Sequence, residues 1–115
     1  MSPVPGAAAS CADLPEPPYY AVIFISVRSG DERGYGEMDR RMLELARAQP
    51  GFLGIDTVHE HRAGITVSYW RDLASIAAWK AHSEHAIAQR LGAERWYEHY
   101  AVRIARVERA YSIGK

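Results

Sequence analysis

The chain has 115 residues, 48% hydrophobic and 24% charged, which leaves room for one globular domain and is not the composition of a disordered chain. Fourteen Lys and Arg balance fourteen Asp and Glu, so the basic excess that marks a nucleic-acid binder is missing and little charge repulsion opposes self-association. No apolar run approaches the roughly 18 residues that span a bilayer, the N-terminus lacks the basic start and apolar core of a secretory signal, and the single cysteine, Cys11, has no partner for an intramolecular disulfide; the expected compartment is the cytoplasm.

Residues 1–18 hold five of the six prolines, with Ala and Ser between them, and offer little to bury. They predict a flexible leader, followed by one folded domain over residues 19–113. Residues 19–27, YYAVIFISV, are aromatic or β-branched and uncharged, a strand covered on both faces. One face carries Tyr20, Val22, Phe24 and Ser26, the other Tyr19, Ala21, Ile23, Ile25 and Val27. A glycine-rich loop leads to residues 35–49, where Tyr35, Met38, Met42 and Leu45 recur at spacings of three and four. That spacing predicts an amphipathic helix, ended by Pro50 and Gly51.

Residues 51–61 alternate as a second strand, Arg62, Ala63 and Gly64 supply a short turn, and residues 65–70, ITVSYW, form the third strand of an antiparallel hairpin. Asp72 is placed to cap a second helix over residues 73–82, with a continuation from 84 to about 97 that Gly92 interrupts. The last strand is expected over residues 100–111. Strand–helix–strand–strand–helix–strand is the α+β, ferredoxin-like βαββαβ order, with a four-stranded antiparallel sheet. Two helices cover one face of such a sheet. Because the strands are apolar on both faces, the second face is expected to meet another copy, making a homodimer.

Chemistry-bearing residues concentrate between Val67 and Tyr100, which hold all three tryptophans and three of the five histidines. His82 and His85 are three apart, neighbours on a helical surface. No third ligand stands at a metal-site spacing, and no metal site is expected. His85 precedes Ala86 and Ala88 and follows Trp79 by six residues, which suits an inward imidazole serving either as base or as a satisfied structural group. His59 and His61 at the hairpin read as exposed, and His99, near a helix end, as either a capping or a catalytic residue. Trp79 with Ile76 fits core packing, or one wall of a pocket between helix and sheet that Phe24, Trp96 and Tyr97 close. Ser26 and Ser68 are small polar residues inside apolar strands, each able to aim a hydroxyll into that pocket or to bond the backbone. There is no glycine-rich phosphate loop, CxxC pair or nucleophile elbow.

The element order, the QPGFLG junction, the stretch VSYWRDLASIAAWKAHSEHAIAQ and the closing VRIARVERAYS together resemble the antibiotic biosynthesis monooxygenase family, over about residues 19–112. The resemblance implies a dimeric α/β barrel with one pocket per subunit between helices and sheet. In some members an aromatic substrate, deprotonated to an electron-rich anion, reacts with dioxygen without metal or flavin. It implies a monooxygenase with no cofactor, acting on a small aromatic or quinone-like compound; the residue reading above then puts His85 forward as the catalytic group and Phe24, Ser26, Ser68, Trp79, Trp96 and Tyr97 around the substrate. Other members degrade haem, using an asparagine in the first strand and a histidine about ten residues after a helix tryptophan. Here Trp79 matches, but asparagine is absent from the whole chain and Gln89 stands at the histidine position, which counts against haem and excludes any asparagine-dependent mechanism. Two further readings stand beside the oxygenase: a dimeric small-molecule-binding or stress-response module without turnover, and a non-oxidative isomerase or cyclase.

Overall fold

The computed structural model describes residues 11–31, 33–89 (backbone only over 85–89) and 96–113, and shows the expected element order. Strand β1 (Tyr19–Arg28) leads to helix α1 (Tyr35–Arg47), the hairpin β2 (Phe52–Glu60) and β3 (Ala63–Trp70), helix α2 (Leu73–Gln89) and strand β4 (Tyr97–Val107). The sheet order is β2-β3-β1-β4 with every pair antiparallel, the ferredoxin-like arrangement. None of the described helices is long and apolar enough to cross a membrane.

The amphipathic pattern of α1 holds: Met38 and Ala46 are buried, Met42 and Leu45 half-buried, and the charged residues lie outward. Gly51 ends the connection at φ 88°, a conformation that costs glycine least, and a Cβ there would run into the Ser75 side chain. Asp72 caps α2 as expected, its Oδ1 accepting from the Ser75 backbone N–H at 2.8 Å. That bond and the Ser75 hydroxyl hold the Asp72 carboxyl below its ordinary value.

Register sorts the side chains into two faces. One face carries Tyr20, Val22, Phe24 and Ser26 of β1, opposite Trp70, Ser68, Thr66 and Gly64 of β3. Both helices lie on this side: Trp79 of α2 stacks on Trp70 with ring centroids 5.8 Å apart, and Arg28 lies 4.5 Å from the ring centroid of Tyr35 on α1. Trp70 is fully buried, with Phe52 edge-on at 5.4 Å and its Nε1–H donated to Ser68 Oγ at 2.9 Å. A buried indole N–H left unpaired would be costly, so Ser68 completes the burial of Trp70.

The back face carries Ile23, Ile25 and Val27 beside Val67, Ile65 and Ala63. At its far end Tyr19 meets Tyr69 edge-on at 5.9 Å, and the Tyr69 hydroxyl donates to Asp56 Oδ2 at 2.8 Å. Asp56 Oδ1 accepts a second hydrogen bond, 2.7 Å from the backbone N–H of Ala12, while Ala12 and Leu14 lie over Gly54. The sequence treats residues 1–18 as one loose leader. Residues 12 and 14 lie against β2, where the Asp56 carboxylate accepts the Ala12 N–H and the side-chain-free Gly54 leaves them a seat.

Three boundaries differ from expectation. The hairpin turns at His61 and Arg62, not at Arg62, Ala63 and Gly64, because Glu60 already pairs with Ala63; His61 takes the positive φ, 54°. Helix α2 runs unbroken through residues 82–84 to Gln89, and the expected continuation over 90–95 lies outside the described residues. Tyr97, expected at the end of that helix, opens β4 and pairs with Arg28.

Two stability measurements follow from this packing. Trp70→Ala removes the largest fully buried side chain and is expected to cost ~3–5 kcal/mol in urea unfolding. Burial, and then the Asp56 carboxylate, push the Tyr69 phenol above its ordinary value. The folded state therefore favours the neutral phenol, and this contribution is complete below the unfolded value of about 10 and lost as pH rises past it. The urea midpoint should fall on the alkaline side, and Tyr69→Phe should flatten that fall.

Candidate functional site

On the helix side, antiparallel pairing lines up the four strands in rows. From the Trp70 end, one row is Ile55, Ser68, Val22 and Ile104; the next is Thr57, Thr66, Phe24 and Val102; the third is His59, Gly64, Ser26 and Tyr100. The sequence candidates fall into two groups along this ladder. Trp79 and Ser68 are joined through Trp70, Trp79 half-buried and Ser68 buried. Phe24 and Tyr97 belong to an aromatic cluster that begins one row beyond Ser68.

In that cluster Phe24 is stacked on Tyr100 at 5.6 Å with 28° between the rings, and meets Tyr97 edge-on at 5.5 Å. Tyr97 also meets Tyr100 at 5.7 Å and Tyr35 of α1 at 6.1 Å. Burial, and then the hydrogen-bonded Tyr35 beside it, push the Tyr97 phenol up, so it stays a neutral donor or acceptor throughout the physiological range. Tyr100 is 51% exposed, so the stacked pair presents an open edge.

Trp96 has a structural place. It is buried, its Nε1–H donates to the Arg33 carbonyl at 2.8 Å, and its ring meets Tyr35 at 6.0 Å. It holds the loop before α1 against β4, with its polar atom committed. Ser26 is buried in the row between Gly64 and Tyr100. Ser68 and Ser26 are four residues apart in register, about 13 Å along the strands, so they do not serve the same substrate atom. His85 lies on α2, and its side chain falls outside the described residues.

The rows also bring together residues that the sequence reading left aside. Thr57 Oγ1 is 2.8 Å from Thr66 Oγ1 across the β2–β3 pair and 3.2 Å from His59 Nε2 along β2. His59, read from the sequence as an exposed hairpin residue, is indeed exposed, but it lies on the helix side of the sheet and over Gly64. The signal was present in the alternation of Thr57 with His59, and became a cluster only once the hairpin register put Thr66 opposite Thr57. Among the described residues, no three His, Cys, Asp or Glu side chains are grouped to hold a metal ion.

The back face carries a shallow apolar depression of about 250 Å³, lined by Ile25, Val27, Val58, Ala63 and Ile65. Val58 is 67% and Ile65 43% exposed there.

Comparison with known proteins places this geometry. The family model described as antibiotic biosynthesis monooxygenase matches residues 18–91. The uncharacterized protein YqjZ of Bacillus subtilis (strain 168) is 55% identical over 96 residues, 83% of this chain and 84% of its own. Among solved structures, protein SO0527 from Shewanella oneidensis superposes with a TM-score of 0.68 at 10% identity, covering 87% of this chain and 100% of its own. SnoaB from Streptomyces nogalater, a cofactor-independent oxygenase, superposes with a TM-score of 0.65 at 14% identity, covering 82% and 97%. At these identities the two structures share the fold.

Proposed function

Because the chain belongs to the antibiotic biosynthesis monooxygenase family, we propose that it is a cofactor-independent monooxygenase for a small aromatic or quinone-like compound bound on the helix side of the sheet. The observation that carries the reading is the half-open aromatic wall of Phe24, Tyr97 and Tyr100, set beside hydroxyl-bearing residues in otherwise apolar strands. A flat ring stacks on such a wall. Nearby polar groups orient its oxygen substituents.

The chemistry asks for one proton acceptor. A substrate hydroxyl loses its proton, and the resulting anion is electron-rich enough to reduce dioxygen directly. One oxygen atom enters the substrate as a carbonyl, and the other leaves as water with the hydroxyl proton and the one hydrogen of the oxidised carbon. His85, from α2, is the polar group proposed to act on the substrate from the helix side, with Trp79 forming the wall opposite the aromatic cluster. Ser26 is the serine proposed to meet the substrate, since Ser68 is engaged by Trp70.

The functional unit is proposed to be a homodimer joined through the back face of the sheet. Its support is the row of Ile23, Ile25, Val27, Ile65 and Val67 together with the exposure of Val58 and Ile65. Burying such a surface against a second copy removes apolar area from water at about 25 cal/mol per Å².

Oxygen uptake with a panel of hydroquinones and anthrone-like compounds tests the activity. The expected outcome is uptake that His85→Ala lowers on the order of a hundredfold, as loss of a polar group acting on the substrate does, with the oligomer intact. Ligand binding with no uptake would make the protein a binding module, and product formed under nitrogen would make it an isomerase or cyclase. Ile65→Glu is expected to halve the mass in light scattering; an unchanged dimer mass would rule out the back face.

A further inference from the structure

We propose that His59, acting through Thr57 and Thr66, is a proton acceptor on the sheet side of this site, taking the proton of an acidic phenol or enol seated against Phe24 and Tyr100. The inference rests on the aromatic-pocket reading above and assigns the sheet its own part in the chemistry.

Each threonine hydroxyl has one hydrogen to give and lone pairs to receive. With His59 Nε2 unprotonated, Thr57 donates to it across 3.2 Å and Thr66 donates to Thr57 across 2.8 Å. Thr66 is then left with lone pairs directed to whatever lies beside it. Its register partner on β1 is Phe24, so the row ends at the aromatic wall. A ligand hydroxyl donating to Thr66 can pass its proton inward. The ligand O–H bond breaks as one forms at Thr66 Oγ1, the Thr66 proton moves to Thr57 Oγ1, and the Thr57 proton moves to His59 Nε2. The products are a ligand oxyanion and an imidazolium, and nothing is oxidised or reduced. Dioxygen acts only afterwards, on the anion. The exposed His59 ring can return its proton to solvent between turnovers.

Threonines facing across two strands often share a hydrogen bond, and that alone would be sheet stabilisation. Gly64 separates the two readings. Its φ is not in the positive range that favours glycine, so its backbone would accept other residues. What a side chain there would meet is His59: a Cβ would stand 2.7 Å from Nδ1 and 3.0 Å from Cε1. The glycine keeps the space in which the imidazole lies across the sheet and holds Thr57.

The relay also narrows the substrate. An unconjugated phenol holds its proton too tightly to ionise readily near neutral pH. A hydroxyl conjugated with a carbonyl, as in hydroxyquinones and enolised dicarbonyls, is acidic enough for the transfer.

The probe is 4-nitrophenol, an acidic phenol whose phenolate absorbs visible light. At neutral pH the phenolate-to-phenol ratio of the bound probe is expected to be at least tenfold that of the free probe in the native protein and in Thr66→Ser. In His59→Gln, which keeps a hydrogen bond to Thr57 but takes no proton, and in Thr66→Val, the ionisation should return to that of the free probe while binding changes only a few-fold. Gly64→Ala, which touches neither threonine, should produce the same loss by displacing the ring. Oxygen uptake with a hydroquinone should fall in His59→Gln and Thr66→Val and survive in Thr66→Ser. Native-like ionisation in His59→Gln and Thr66→Val, or its loss in His85→Ala alone, overturns the relay and leaves the pocket reading standing. A native protein that binds no 4-nitrophenol and consumes no oxygen with any hydroquinone overturns both.

Discussion

Strand β1 is hydrogen-bonded along both edges, to β3 on one side and β4 on the other, and the register of these two ladders decides which side chains can meet. Side chains alternate along a strand, so a slip of one residue would exchange the faces. Phe24, Ser26 and Val22 would then turn to the back, and Ile23 and Ile25 would turn to the helices. What resists the slip is packing at the Trp70 end, where Phe52, Trp79 and Ser68 enclose the indole on the helix side and Tyr19 and Tyr69 meet on the other. The aromatic cluster at the opposite end, the polar row on β2 and β3, and the apolar back face all inherit their composition from that one register.

The two sides of the sheet are specialised by different means. On the helix side, polar atoms are committed in pairs: Trp70 with Ser68, Trp96 with the Arg33 carbonyl, Thr57 with Thr66. The buried Trp70–Ser68 pair requires its partner, and each of the three pairs fixes an orientation. On the back, the row of Val58, Ile65, Ile25 and Ala101 is aliphatic, the Asp56–Tyr69 hydrogen bond anchors one end, and Glu60, His99 and Arg103 stand in the rows on either side. The face proposed to hold the chemistry and the face proposed to associate thus draw on different residues of the same four strands.

Much of the fold was legible because it depends on local periodicity. The change from alternation to spacings of three and four located α1, and the Asp72 cap located the start of α2. The end of α2 and the start of β4 were harder, since Trp96 and Tyr97 fit the apolar stripe of a helix as well as the opening of a strand; pairing with Arg28 decides for the strand. The family resemblance was carried by the same elements. The candidate site was less legible. Phe24 and Tyr97 do come together, but Trp96 looked like a pocket wall when its indole N–H in fact braces the Arg33 loop. His59 was read as an exposed hairpin residue, and a turn at Arg62, Ala63 and Gly64 would leave Gly64 outside the strand. Moving that turn to His61 and Arg62 brings Gly64 under the imidazole. Cross-strand neighbours depend on such one-residue choices, and composition does not encode them.

The docking of Ala12 on Asp56 leaves an exposed Cys11 one residue from a fixed point on the back face. As the sole thiol in the chain, it takes a single fluorophore or spin label without any substitution. The label would sit at the margin of the surface assigned to the second copy, so its polarity and mobility would register the docked leader and the assembled pair as separate signals, and label-to-label distance across a two-fold would measure the assembly directly.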